Sequence, residues 1–250
     1  MIRLKSIQEI NKIETASKIV AELLERIEGM ICKDLPTYEL EKFAVDFIET
    51  KKALPACKGY NGFPYALCIS VNDTVIHGFP SKKEILKEGD LVSVDCVVNK
   101  DGFFGDSTKT FVVGDFLTEI DKVLFMKTKE SLYNAIEIAI EGNHIGDLGN
   151  IVSKTVIPSG LSVIKEYSGH GVGLKMHEDP SIPNYGRKNT GPVIRCGMTL
   201  AIEPMVVEGS PDIYVEEDGW TVKTVDQRRA AHFEHTVVIE KNGPRILTAI

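Results

Sequence analysis

The sequence predicts an α+β fold built as one domain, with helices on one face of a sheet. Helically periodic segments are followed by a group of strand-like segments, and this order occurs twice along the chain. Strands grouped after helices fit a sheet covered on one face, whereas a doubly wound fold would alternate the two. No linker, low-complexity segment or charge block divides the 250 residues, so the two halves, about 6–113 and 118–245, are read as one unit. No residue-level repeat connects them, and their kinship is one of architecture.

Each element has its own signal. Ser6-Ile7-Gln8-Glu9 has the form of a capping box. It opens a run in which Ile7, Ile10, Ile13, Val20, Leu23, Leu24 and Ile27 recur at helical spacing. A second helix is expected after Pro36, with Leu40, Phe43, Phe47 and Ile48 on one face. Strand-like segments punctuated by Gly and Pro run from about Leu67 to Val113. A third helix is expected from about Thr118 to a cap at Gly142-Asn143, then a shorter one carrying Leu148, Ile151 and Val152. Further strands are expected around 161–168, 198–208, 220–225 and 231–240.

Composition narrows the function. A net charge of -7 gives no sign of a nucleic-acid partner. The N-terminus MIRLKSIQEI carries charges where a signal peptide needs an apolar core, and no run approaches a membrane span. The five cysteines are odd in number and none are in CxxC spacing, which argues against a disulfide framework or a zinc ribbon. A reduced, cytoplasmic protein is the expectation.

Against this background, GDLVSVDCVVNKDGFFGDSTKTF (89–111) is unusual, because Asp95 and Asp106 interrupt two strand-like runs. Asn99-Lys100-Asp101-Gly102 is turn chemistry. A four-residue loop would set the two aspartates directly opposite one another; a two-residue Asp101-Gly102 loop would make them diagonal neighbours on the same face. Two ionised carboxylates that close in an apolar sheet repel, so one holds a proton or a cation lies between them. On an exposed face they would simply be solvated.

Three more stretches bear on the choice. SGHGVG sets His170 among glycines, which allow positive φ and close backbone approach. Glu203 and Glu234 each sit in an apolar strand-like context, in TLAIEP and AHFEHTVVI. A lone glutamate at a strand end is more often solvated than ligating. Four carboxylates and an imidazole together are harder to assign to the surface. They suit two divalent ions, Mn, Fe or Co, with Zn also admissible.

The order Asp95, Asp106, His170, Glu203, Glu234, within VDCVVNKDGFFGDSTKTF, SGHGVG, AIEP and HFEHT, resembles the type I methionine aminopeptidases over nearly the whole chain. The resemblance implies a pita-bread fold, two pseudo-related halves forming a curved, mainly antiparallel sheet with helices on its outer face. It implies that Asp95 binds one metal, that Asp106 and Glu234 bridge both, and that His170 and Glu203 complete the other. A metal-bridging hydroxide would attack the carbonyl of the first peptide bond, with Glu203 passing the proton to the leaving amine.

By the same resemblance His77 and His177 would hydrogen-bond the scissile amide and the oxyanion, and Cys57, Tyr60, Phe63, Cys68, Met176 and Trp220 would form the methionine pocket. Phe63 stands where the family has a tyrosine, and Met176 where an aromatic residue is common. Without the resemblance, either histidine and Cys68 would pass for ordinary core. On a strand, His232 shares the face of Glu234 and His235 points away. His144 is expected in a turn, without a role.

Glu234 follows Glu203 by 31 positions, too few for the helical insertion of type II enzymes, and no cysteine-rich N-terminal extension is present. A bacterial-like enzyme is implied, acting as a monomer on peptide or nascent-chain N-termini that begin with methionine. This is compatible with transient ribosome contact, and no nucleic-acid specificity or membrane partner is implied. Two rivals share the pattern. Prolidase and aminopeptidase P have the same five ligands but usually carry a further N-terminal domain. A metal-free pita-bread binding module would be expected to have lost ligands.

Overall fold

Ser6 starts the first helix as expected. Its hydroxyl accepts from the Glu9 amide at 3.3 Å, and the Glu9 carboxylate accepts from the Ser6 amide at 2.8 Å. The computed structural model describes residues 1–250. Helix α1 spans Ile7–Glu28 and buries Ile10, Ile13, Val20, Leu23, Leu24 and Ile27. Ile7, part of the expected apolar stripe, is exposed at the first turn. Helix α2 (Thr37–Thr50) follows Pro36 and buries Leu40, Phe47 and Ile48, with Phe43 half-buried at the margin.

Strands β1 (Leu54–Pro55), β2 (Leu67–Val71), β3 (Thr74–Ile76), β4 (Leu91–Lys100) and β5 (Phe103–Val112) complete the first half. The alternation of β4 sorts its two faces. Val92, Val94, Cys96 and Val98 pack under α1 and α2 with Val20, Leu23, Ile27 and Leu40. Asp95 and Val97 point to the opposite face. Gly105 permits the close approach of α1, since a Cβ there would lie 2.3 Å from the Ser17 backbone nitrogen.

The second half repeats the order. Helices α3 (Glu119–Glu137) and α4 (Ile145–Val156) precede β6 (Ser162–Val163), β7 (Ser168–Gly171), β8 (Glu178–Pro183), β9 (Thr199–Ile202) and β10 (Met205–Val207). Then come β11 (Ile213–Val215), β12 (Val222–Thr224), β13 (Ala230–His232), β14 (His235–Glu240) and β15 (Gly243–Ile246). Leu124, Leu132, Leu148 and Val152 of the helices form a second core with Leu200, Ile202, Val206 and Val237.

Helix α3 stops at Glu137, earlier than the Gly142-Asn143 cap expected from sequence. The Asn143 side-chain amide donates to the Ile138 carbonyl at 2.8 Å and the Gly142 amide donates to Ile194. These bonds engage the chain in a turn before the helix can continue. His144, expected in a turn, is the N-cap of α4, its amide donating to the Asp147 carboxylate at 2.7 Å.

All strand pairings are antiparallel. The strands fall into four hydrogen-bonded groups, each contributing residues to one cavity, with β3 of the first half pairing with β12 of the second. Single bonds sew the halves together at the centre. The Thr110 hydroxyl donates to the His232 carbonyl at 2.7 Å, the Glu234 amide to Thr108 at 2.8 Å, and the Thr236 hydroxyl to the Asp106 carbonyl at 2.8 Å. The chain therefore has the α+β, helices-outside architecture expected from its order of elements.

Substituting Gly105→Ala should separate α1 from β5 and cost about 1–3 kcal/mol or more, the usual range for overpacking. A lowered urea midpoint with unchanged m-value would show it; an unchanged midpoint would contradict the packing described.

Candidate active site

The hairpin register decides how Asp95 and Asp106 meet. Asp95 pairs with Thr108 and Asp106 with Val97. The turn is the two-residue Asp101-Gly102 loop, with φ of 53° and 84°, as a type I′ turn needs. Of the two arrangements left open by the sequence, the diagonal one forms. The carboxylates share a face, one pair of residues out of step.

The other groups arrive from the second half. His170 lies on β7 opposite Ala201 of β9. Glu203 follows the end of β9, and Glu234 lies between β13 and β14. The glycines beside His170 serve close approach: a Cβ at Gly169 would lie 2.4 Å from the Ala201 carbonyl oxygen, and one at Gly171 2.2 Å from that of Asp179.

All five groups line one cavity of about 340 Å³. Asp106, His170 and Glu234 form its tightest cluster, with one ligand atom of each within 4.8 Å of the others. Asp95 and Glu203 flank this triad. His170 Nε2 stands 3.4 Å from Glu203 Oε1 and 3.7 Å from Asp106 Oδ2.

Electrostatics make this arrangement costly without a cation. Burial raises the Asp106 carboxyl well above the usual range, and the charges of Glu234 and Asp95 add to it. Burial does the same to Glu203, with Asp95 adding, and to Glu234, with Glu203 and Asp95 adding. Asp95 is raised by burial against the opposing effects of His232, Thr108 and Cys68. The side-chain partners are few. Thr108 donates to Glu234 Oε2 at 2.8 Å, whereas Glu234 Oε1 and Asp95 Oδ1 are buried with no partner.

The donor set fits divalent metal. His170 Nδ1 lies 2.9 Å from the Gly171 carbonyl, which can only accept, so Nδ1 carries the proton. The Nε2 lone pair is then aimed at carboxylate oxygens, an arrangement that repels unless a cation lies between. Burial holds the His170 imidazole at about 4, so it is neutral at physiological pH, as a ligand must be.

Two further histidines border the cluster. His77 has a positive φ of 57° directly after β3, uncommon for a residue with a side chain. Gly78 follows, packed so tightly that a Cβ would lie 2.2 Å from the Ile69 carbonyl oxygen. Burial lowers the His77 imidazole to about 4, with His232 and His177 contributing. The ring of His177 lies 4.4 Å from that of His170, and its Nδ1 hydrogen-bonds Tyr60 Oη at 2.9 Å. Burial lowers it as well.

The proposed methionine pocket is contiguous with this cluster. Phe63 meets Trp220 and Phe79 edge-on, at centroid distances of 5.2 and 5.4 Å. Cys57, Cys68, Val97 and Met176 pack with Phe63 to form the rest of the wall. Tyr60 stands at the mouth beside His177.

Sequence reasoning missed Thr108, which supports Glu234, and Phe79, Tyr167 and Val97 of the pocket region. Val97 and Thr108 could have been found from alternation, since each lies two residues from an aspartate on the same strand face. His232 does share the cavity, its Nε2 3.3 Å from Glu203 Oε2, while His235 faces away to Tyr133 and Thr248.

A carboxylate-rich metal cavity in a sheet with helices outside defines a metal-dependent hydrolase. The sequence profile of metallopeptidase family M24 matches residues 11–241, and the chain belongs to that family. Within it, the chain stands with the bacterial type I methionine aminopeptidases. It is 46% identical over 250 residues to the methionine aminopeptidase of Clostridium perfringens, covering 100% of both chains. It superposes on the crystal structure of the Thermotoga maritima methionine aminopeptidase with a TM-score of 0.98, at 46% identity and 100% coverage of each chain. A prolidase from Pyrococcus horikoshii shares the fold alone, at 24% identity and a TM-score of 0.77, with 98% of this chain and 63% of that one covered.

Raised carboxyl pKa values have a definite sign. In metal-free protein the native state keeps protons that the unfolded chain has lost, so stability falls as pH rises above the ordinary carboxylate range of about 4. Asp106→Asn cannot ionise. Between about pH 5 and about pH 8 the chelated variant should therefore gain stability relative to chelated wild type, increasingly so as pH rises. Urea midpoints of both proteins measure this, and a difference independent of pH would contradict it.

Proposed function

We propose that this chain removes the N-terminal methionine from peptides and nascent proteins, with Asp95, Asp106, His170, Glu203 and Glu234 holding two divalent ions. The observation that carries the proposal is the meeting of an uncompensated four-carboxylate cluster and an apolar sulfur-and-aromatic pocket in one cavity. Mn, Fe and Co suit the oxygen-rich donor set, and Zn is admissible. In this reading Asp106 and Glu234 would serve both ions, Asp95 one of them, and His170 and Glu203 the other. When bound, the ions supply a water activated near neutral pH and positive charge for the carbonyl oxygen.

The remaining work falls to the protein. Phe63, Trp220, Cys57, Cys68 and Met176 hold the first side chain, and a thioether suits aromatic edges and sulfur neighbours. Tyr60 closes the mouth of the pocket. His77 is neutral in its buried setting, so it donates an N–H to the substrate amide without bringing charge. His177, oriented by Tyr60, does the same for the developing oxyanion. Glu203 takes the proton of the attacking water and passes it to the leaving amine, with the His232 ring 3.3 Å from its Oε2.

Both halves of the chain contribute ligands, so we read residues 1–250 as one catalytic domain with pseudo-related halves of about 6–113 and 118–245. A monomer suffices for this site. No helix is long and apolar enough to cross a membrane. Five free thiols, two of them in the pocket, support a reducing cytoplasmic setting.

The test is release of methionine from Met-Ala-Ser by chelated protein, before and after adding Mn, Fe, Co or Zn, beside an Xaa-Pro peptide. Release should return with metal for the methionyl peptide only. His177→Ala should keep its metal while turnover drops roughly 10²–10⁴-fold. Folded protein that releases no methionine with any ion would overturn the proposal, and loss of metal from His177→Ala would overturn the assignment of that residue.

A further inference from the structure

We propose that a groove outside the active-site mouth binds the third to fifth residues of the substrate and favours acidic side chains there. The proposal rests on the aminopeptidase reading above. The groove has a volume of about 700 Å³ and includes Leu54, Pro55, Phe104, Leu174, Lys58 and Lys175. It is continuous with the catalytic cavity, because Tyr60, Met176 and His177 line both. The hydrogen-bonded Tyr60–His177 pair stands on that shared wall.

Geometry favours the substrate's own chain as occupant. The first side chain fills the inner pocket, and the rest of the peptide must leave toward solvent past the scissile bond. His177, assigned to that bond, is also a wall of the groove. An extended chain advances about 3.5 Å per residue, so residue three lies about 7 Å beyond residue one. That distance reaches past a single side-chain pair. β1 also offers a backbone edge, since it pairs with β4 on one side and with nothing on the other. Leu54 on this strand is 67% exposed, an apolar surface for a passing chain to cover.

Charge sets the preference. Lys58 and Lys175 are exposed, and neither is held in an ion pair. Glu178, which accepts from the Lys175 amide, is already neutralised by Lys5 at 2.7 Å. No carboxylate lines the groove. The whole chain carries a net charge of -7 and would repel an acidic peptide, so a preference for acid must come from local lysines.

The experiment compares kcat/KM for Met-Ala-Ser-Glu-Glu-Ser and Met-Ala-Ser-Lys-Lys-Ser, with Met-Ala-Ser as the reference, on metal-loaded enzyme at low salt. The acidic peptide should be favoured by about three- to tenfold, the scale of two exposed charge pairs, and the ratio should shrink with added salt. The double variant Lys58→Glu/Lys175→Glu should invert the ratio, and Lys83→Glu, exposed and not among the residues lining the groove, should leave it as it was. Equal rates for both peptides while Met-Ala-Ser is cleaved would overturn the groove alone. So would an equal effect of Lys83→Glu. Failure to cleave Met-Ala-Ser with any metal would bring down the hydrolase reading, and the groove with it.

Discussion

The structure is organised around negative charge that burial leaves uncompensated. Four carboxylates converge in a cavity where Asp95 Oδ1 and Glu234 Oε1 have no protein partner. The imidazoles of the cavity, His77, His170, His177 and His232, are all lowered by burial, His77, His170 and His232 to about 4. Such a cluster keeps protons, or it takes cations. Nothing inside the protein can neutralise it: the salt bridges formed by lysine and arginine lie elsewhere. That uncompensated charge is what suits the site to divalent metal.

Holding such charges in place requires a stiff frame. The two-residue turn at Asp101-Gly102 fixes the β4–β5 register, and register decides which face each aspartate meets. Helices α1 and α2 clamp the back of that hairpin, and Gly105 lets α1 approach closely. Thr108, Thr110 and Thr236 then tie the hairpin to the β13–β14 region, so the carboxylates of the two halves are held together. Packing on the outside thus positions chemistry on the inside.

Much of this was legible in the sequence because the informative residues break local patterns. Asp95 stands out because valines surround it, and Asp106 because it interrupts the second strand-like run after Phe103 and Phe104. Glu203 and Glu234 stand out likewise, and the structure brings all four and His170 to one cavity. The capping box at Ser6–Glu9 announced α1 directly. What stayed hidden had weaker signals. β8 contains two prolines and two acidic residues, and its edge position needs no apolar alternation. β11 is largely exposed, and β15 is only half-buried, so neither carries a buried stripe. The end of α3 depended on bonds to Asn143 and Ile194, which are tertiary. The hairpin register had two solutions in the sequence, and positive φ at Asp101 and Gly102 selects one.

The most direct test of this account is calorimetric titration of Mn into chelated protein, repeated in buffers of different ionisation enthalpy at about pH 6 and about pH 8. The difference between buffers reports protons released per chain. Carboxyls raised by burial and mutual repulsion should give up protons as ions bind, more at pH 6 than at pH 8, with binding saturating at two ions. Tight binding without proton release at either pH would contradict the claim that crowded, protonated carboxyls make the site, as would a folded protein that binds no ion.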